Sequence, residues 1–275
     1  VIRVAKNAII NKEYAKSLIK SVKDNYTKLT INSVVTTITK KNNEYVVEGI
    51  RMVSEVPEDS FVKIYMSERF QNNNPEYARE LLRKQGITAD MIEIVADNVF
   101  DRMSQTQTPQ GIMAGVKMKN NSLSDMLEGN PLLILVENLQ DPGNLGTILR
   151  MGEGAGVTGV IMSPNTVDIY NPKTIRSTMG SIFRVPFAIV DDLAAAVDTL
   201  KDNGITTYAA HLKGELYNSG SLTKDCALLI GNEARGLSEE ISAKADKLIK
   251  IPMHGKVESL NAAIATAILM YEAAR

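Results

Sequence analysis

Hydrophobic and polar positions change period repeatedly along this chain, and each change marks an element. Residues 11–23 put Ala15, Leu18, Ile19 and Val22 on one face with lysines elsewhere, which predicts a helix. The β-branched run at 31–39 predicts a strand. Further strands are expected at 44–48, 61–66, 91–95 and 111–116. Helices are expected at 75–85, stopped by Gly86, and at 98–103. Residues 117–130 are polar with a short helical stretch. A second series follows, with strands at 132–137, 157–162, 205–210, 227–230 and 247–251. Its helices fall roughly at 144–155, 171–180, 191–203, 238–245 and 259–274. Such alternation predicts a mainly parallel sheet covered on both faces.

The chain therefore reads as α/β in two parts. Residues 1–117 form a basic arm and a small α/β layer domain, 118–130 a linker, and 131–275 the parallel α/β domain. Composition adds limits. At 275 residues, 44% hydrophobic and 23% charged, the chain is globular and long enough for two domains. The longest apolar run, 131–136, fits a buried strand and falls far short of the ~18 residues of a membrane span. The first residues do not form a signal peptide, so a cytoplasmic protein is expected. With only Cys226, His211 and His254, neither a disulfide framework nor a metal site is expected.

The net charge of −1 argues against a protein that coats nucleic acid, but it is an average. Residues 1–43 hold nine Lys or Arg against Glu13 and Asp24, a net of +7 that leaves −8 for the rest. By charge alone the arm reads as a solvated, lysine-rich helix. A basic arm on an acidic body also suits a phosphate-bearing partner.

One motif misleads. Gly154-Ala-Gly156-Val-Thr-Gly159 matches the dinucleotide-binding G-x-G-x-x-G. That fingerprint needs a strand before the glycines and a helix after them. Here the helix comes first, so the glycines read as a helix stop.

Three segments carry candidate chemistry. In Glu137-Asn-Leu-Gln-Asp-Pro-Gly-Asn-Leu-Gly-Thr-Ile-Leu-Arg150, a strand ends, a tight Asp-Pro-Gly turn follows, and a helix starts near Asn144. Its apolar stripe is Leu145, Ile148, Leu149 and Gly152, which leaves Arg150 off the core side. Spacing alone allows Asn144 to be a cap and Arg150 a solvated cation. Asn171 to Pro186 is a helical stretch with Lys173, Arg176 and Arg184. The third segment pairs Leu228-Leu-Ile-Gly-Asn-Glu-Ala-Arg-Gly-Leu-Ser238 with Ile251-Pro-Met-His-Gly-Lys-Val-Glu-Ser-Leu-Asn261. Loops so rich in Gly, Asn and Ser offer free backbone groups to a small polar ligand. Ser259 and Asn261 also suit plain helix capping.

In this order on an α/β chain, the segments resemble the SpoU-type (TrmH-type) RNA 2′-O-ribose methyltransferases of the SPOUT class. The resemblance spans residues 131–275. Glu44-Tyr-Val-Val-Glu-Gly-Ile-Arg51 more faintly resembles the ribosomal-protein-like RNA-binding domain that often precedes it. The resemblance implies a trefoil-knotted sheet and S-adenosylmethionine (SAM) held largely by backbone groups. That role falls to Gly231, Ile251 and Leu260, with Met253 and Ala210 as further candidates. Active-site roles fall to Asn144, Arg150, Glu233, Ser259 and Asn261, and RNA contact to Lys173 and Arg176. The implied reaction methylates a ribose 2′-hydroxyl, of ribosomal rather than transfer RNA because of the extra N-terminal domain. A transfer-RNA enzyme is the first alternative. A non-catalytic RNA-binding or ribosome-assembly protein on the same fold is the second, and it predicts no SAM binding.

The last predicted helix is apolar nearly all round. Leu260, Ile264, Ala267, Ile268 and Tyr271 form one stripe, and Ala262, Ala263, Ala265, Leu269 and Met270 cover most of the rest. Such a helix is buried, here against another subunit, and the resemblance implies a homodimer through it.

Overall fold

The computed structural model describes residues 42–275 apart from 85, 120, 221, 223 and 224. The helix expected at 11–23, the strand at 31–39 and nearly all of the basic arm lie outside the described residues. The chain divides at Lys119 into two compact units.

The first unit runs β1 (Glu44–Glu48), α1 (Ile50–Ser54), β2 (Phe61–Ser67), α2 (Glu68–Asn73), α3 (Pro75–Arg83), β3 (Ile92–Val95), α4 (Asp97–Met103) and β4 (Ile112–Lys117). Its sheet has the order β1-β4-β2-β3, antiparallel except for the parallel β2–β3 pair. Tyr65, Phe100, Met103 and Met113 pack one side of it. The short helices α1 and α2 escape the pattern reading, since five or six residues hold too little of a 3.6-residue period. The serine hydroxyl of Ser67 caps α2 by accepting from the Phe70 amide at 3.0 Å.

The second unit runs β5 (Leu132–Val136), α5 (Pro142–Ala155), β6 (Gly159–Met162), α6 (Pro172–Thr178), β7 (Phe187–Ile189), α7 (Leu193–Asp202), β8 (Thr206–Leu216), β9 (Cys226–Ile230), α8 (Glu239–Lys244), β10 (Lys247–Lys250) and α9 (Ala262–Ala273). The sheet is six-stranded and parallel throughout, in the order β10-β8-β9-β5-β6-β7. β7 was not anticipated, because three residues show no alternation. Alternate strand residues face opposite sides. Leu133, Leu135 and Leu229 pack with Ala196, Val197 and Leu200 of α7 and Ile241 of α8, while α5 and α9 pack on one another and α9 on β9. Truncating a fully buried leucine here, such as Leu135→Ala, costs roughly 2–5 kcal/mol.

The stretch expected as a linker at 118–130 belongs largely to this unit. A short 3-10 turn at Ser124–Met126 buries Met126 against Gly159, with Leu123 and Leu127 at the core margin. Polar neighbours hid this one apolar side. The glycine motif ends a helix. Gly156, at φ 77°, closes α5 in the left-handed conformation, and the strand follows it.

Strand order decides where a ligand can sit. β9 inserts between β5 and β8, and β10 lies outside β8, so the loops after β5, β9 and β10 leave the same carboxyl edge. Open α/β sheets bind ligands at such an edge, where the order reverses. β8 runs farther than the expected 205–210. Ala209 pairs with Leu248, but Glu215 pairs with Ile249, so residues 210–214 bulge out between the two contacts.

Candidate active site

The site grows from the end of β5. After Val136, Glu137 is still 91% buried, and its carboxylate accepts from the Ser238 amide at 2.7 Å. Asn138 then turns left-handed at φ 54°, a conformation that asparagine tolerates. Its amide donates to Ser163 Oγ at 2.8 Å, and its carbonyl accepts from the side chains of Gln140 (3.0 Å) and Asn232 (2.8 Å). This turn ties the loop after β5 to those after β6 and β9.

α5 starts two residues earlier than expected. Asp141 caps it, accepting from the Asn144 amide at 2.9 Å, with Pro142 in the first turn. Asn144 is therefore not the cap, and its side chain is free for other work. The Asp-Pro pair was the available signal, since proline suits the first helical position and aspartate the one before it. The cap bond to Asn144 is the main reason that the Asp141 carboxyl lies below its usual value. Burial opposes this, and the Lys173 ammonium, 3.3 Å away, adds to it.

Glu233, in the loop after β9, gathers the site. One carboxylate oxygen accepts from the Asp141 amide at 2.9 Å and from Asn144 Nδ2 at 3.0 Å. The other accepts from the Gln140 amide at 3.0 Å. Burial pushes the Glu233 carboxyl up, but the Asp141 and Gln140 amides and the Asn144 side chain outweigh it and hold it below its usual value. Asn261 Nδ2 completes the chain by donating to Asn144 Oδ1 at 2.9 Å. Asn261 Oδ1 meanwhile caps α9, accepting from the amides of Ala263 (3.0 Å) and Ile264 (3.2 Å). Three of the five expected active-site residues thus form one line, Glu233–Asn144–Asn261.

The other two stand apart. Ser259 is exposed and makes no hydrogen bond among the described residues. Arg150 is exposed and likewise has no partner. Six residues along α5 are about 1.7 turns, so Arg150 faces away from Asn144. It lies one turn from Gly154, against which the Tyr271 hydroxyl packs so closely that a Cβ on Gly154 would sit 2.7 Å from it. Of the expected RNA contacts, Lys173 is paired with Asp141, and Arg176 is exposed without a partner.

The expected SAM residues cluster on neighbouring strand ends. Ala210 opens the β8 bulge, Gly231 follows β9, Ile251 follows β10, and Met253 and Leu260 lie between β10 and α9; all five are half-buried. A Cβ on Gly231 would lie 2.1 Å from the Gly236 carbonyl carbon and the Leu237 amide nitrogen. Only glycine lets the loop fold back on itself so tightly. The loop's backbone is thereby held beside the bulge, which suits a cofactor gripped by main-chain groups.

The family profile for the SpoU rRNA Methylase family matches residues 131–271. The chain belongs to that family. The profile for RNA 2′-O ribose methyltransferase substrate binding matches residues 46–122. The chain is 32% identical to the 23S rRNA (guanosine(2553)-2′-O)-methyltransferase RlmP of Bacillus subtilis, over 84% of this chain and 88% of RlmP. It is 29% identical to the 23S rRNA (uridine(2479)-2′-O)-methyltransferase of Streptomyces viridochromogenes, over 84% and 83%. Among solved structures it is similar to the SpoU methyltransferase AviRb of S. viridochromogenes in complex with AdoMet, with a TM-score of 0.75, 28% identity, and 86% and 92% of the chains covered. AdoMet-bound rRNA methyltransferase from Sinorhizobium meliloti gives 0.76, 25% identity, and 97% and 95%. As a SpoU family member the protein is a SAM-dependent RNA 2′-O-ribose methyltransferase. Among the described residues no helix is long and apolar enough to cross a membrane.

The resemblance named the three residues of the line among its five candidates, but neither their connection nor its frame of Glu137, Asn138, Gln140, Asp141, Ser163 and Asn232. Apart from the Asp-Pro signal, their neighbours do not mark them, because the bonds that tie the loops together span 25 to 101 residues.

Proposed function

We propose that the protein methylates a ribose 2′-hydroxyl of large-subunit ribosomal RNA, with Glu233, Asn144 and Asn261 organising the site. The hydrogen-bonded line that joins these three residues across the carboxyl edge of the sheet carries this reading. Its relatives RlmP and the S. viridochromogenes enzyme, both named as 23S rRNA methyltransferases, support ribosomal over transfer RNA. A cytoplasmic site of action follows from that substrate.

When bound, SAM supplies the electrophilic methyl. Ala210, Gly231, Ile251, Met253 and Leu260 would hold it, and the trefoil knot belongs to this reading. The chain's own residues must fix the ribose and manage charge. Glu233 locks the turn before α5, and Asn144 and Asn261 hold that turn to the start of α9, so the loops around the ribose keep one geometry. Arg150 has no acceptor and stays protonated, so it cannot take the hydroxyl proton. It stands apart from the line, and its role is to pair with an RNA phosphate, with water or phosphate accepting the hydroxyl proton. Lys173 and Arg176 contribute positive charge toward the RNA backbone, and the exposed Ser259 hydroxyl is available to hydrogen-bond cofactor or RNA.

Two copies form the working unit through α9. Ala263, Thr266, Leu269, Met270 and Ala273 are buried within the chain, whereas Ile264 and Tyr271 remain 55% and 48% exposed. This uncovered stripe suits a second copy, and Gly154, one turn from Arg150, packs against its Tyr271.

The test is to incubate the protein with SAM and unmodified ribosomal or transfer RNA and map ribose methylation by its block to reverse transcription. The reading expects one blocked position in large-subunit ribosomal RNA. Modification of transfer RNA alone, or no SAM binding by calorimetry, overturns it.

A further inference from the structure

Across the Glu233 loop from the expected SAM residues lies an open cleft of about 690 Å³. Its walls include Glu137, Gln140, Asn165, Asn232 and Arg235, and it includes none of Ala210, Ile251, Met253 and Leu260. The volume is within the range of pockets that take small organic ligands. It adjoins the site directly, because the Gln140 amide is bound to Glu233 and Arg235 lies two residues beyond Glu233.

The cleft's framework is rigid while its reading groups are unspent. Asn232 works internally, donating to the Asn138 carbonyl and accepting from the amides of Ala234 (3.0 Å) and Arg235 (3.1 Å). Gln140 spends its amide nitrogen on the carbonyls of Asn138 and Asn165. The side chains of Asn165 and Arg235 are exposed and have no partner among the described residues. The wall thus offers a cation with a flat face, a free amide with donor and acceptor, and the Glu137 carboxylate. A phosphate suits this poorly, since the Glu137 carboxylate would repel it. A flat neutral body edged with donors and acceptors suits it well. Nucleobases are such bodies, and they are read by amide and carboxylate groups and stacked on arginine planes.

We infer that this cleft receives the base of the nucleotide being methylated, with Asn165 and Arg235 as residues that determine base specificity. The inference rests on the function proposed above and deepens it. Attack by a 2′-oxygen requires one ribose to be held still, and seating its base beside the Glu233 line does so. Arg235 would stack on or fork to the base, and Asn165 would read its edge.

The test uses the full-length protein, SAM, and four transcripts of large-subunit ribosomal RNA that differ only in the base at the mapped position. Wild-type enzyme is expected to prefer one base. Asn165→Ala and Arg235→Ala are expected to cut that preference on the order of tenfold, while SAM affinity by calorimetry and the unfolding midpoint stay unchanged. Arg235→Lys keeps the charge but not the plane, and should fail like alanine. A wild type indifferent to the base, variants that keep its preference, or full rescue by lysine overturns the inference. If wild-type enzyme binds SAM but modifies none of the four transcripts, the proposed ribosomal substrate falls, and the base-reading role falls with it.

Discussion

Asn261 donates its side-chain amide to Asn144 across 117 residues of sequence, while its side-chain oxygen caps α9. One residue therefore starts the last helix and holds the start of α5 in place. The two tasks use different atoms, so substitutions can separate them. Asn261→Asp keeps a capping oxygen but turns a second oxygen toward Asn144 Oδ1. It should leave stability within about 0.5 kcal/mol and lower turnover about 10- to 100-fold. Asn261→Ala should also lose about 1 kcal/mol from the cap. Denaturant midpoints and single-turnover methylation measure both. Wild-type turnover in Asn261→Asp would refute a positioning role for the bond.

Glu233 predicts a pH dependence. Its carboxyl is held below the usual value, because three donated hydrogen bonds outweigh burial. The stability it contributes is full above the unfolded value of about 4.3 and is lost as pH falls through the lower folded value. Glu233→Gln turns an NH2 toward backbone N–H groups and removes that contribution. The gap in denaturant midpoint between wild type and Glu233→Gln should be constant from pH 5 to 8 and shrink in more acid solution. A gap that widens in acid contradicts the assignment.

Arg150 is exposed and has no partner among the described residues, so its loss should cost function rather than fold. Arg150→Lys should unfold with the wild type yet fall on the order of tenfold or more in turnover, since an ammonium cannot fork to a phosphate. Near-full turnover would show that planar, bidentate recognition is not required.

Ile264 and Tyr271 form the uncovered side of α9. In the proposed dimer, placing a charge there by Ile264→Glu should shift a wild-type dimer mass to that of a monomer in light scattering at micromolar concentration, because an unpaired buried carboxylate is costly. An unchanged dimer mass would move the interface elsewhere.

Much of the architecture was legible in advance because it is local. The apolar run at Leu132–Val136, the stripe Leu145, Ile148 and Leu149, and Gly156 as a helix stop each reflect a few adjacent residues. The elements that were missed, α1, α2 and β7, are too short for a period to register. The linker was misread because Met126 buries a single side chain among polar neighbours.

The site divides along the same line. Residue order determined the α/β class and the three polar segments, and their resemblance to the SpoU family named Asn144, Arg150, Glu233, Ser259 and Asn261 as candidates. Tertiary structure decided their work: Asp141 rather than Asn144 caps α5, Glu233 binds the turn some 90 residues before it, and Arg150 stands apart from the line. It also opened the cleft between the loops after β5, β6 and β9. The reason is physical. Periodicity encodes which side of an element is buried, but strand order brings distant loops to one edge, and only there do their donors and acceptors meet.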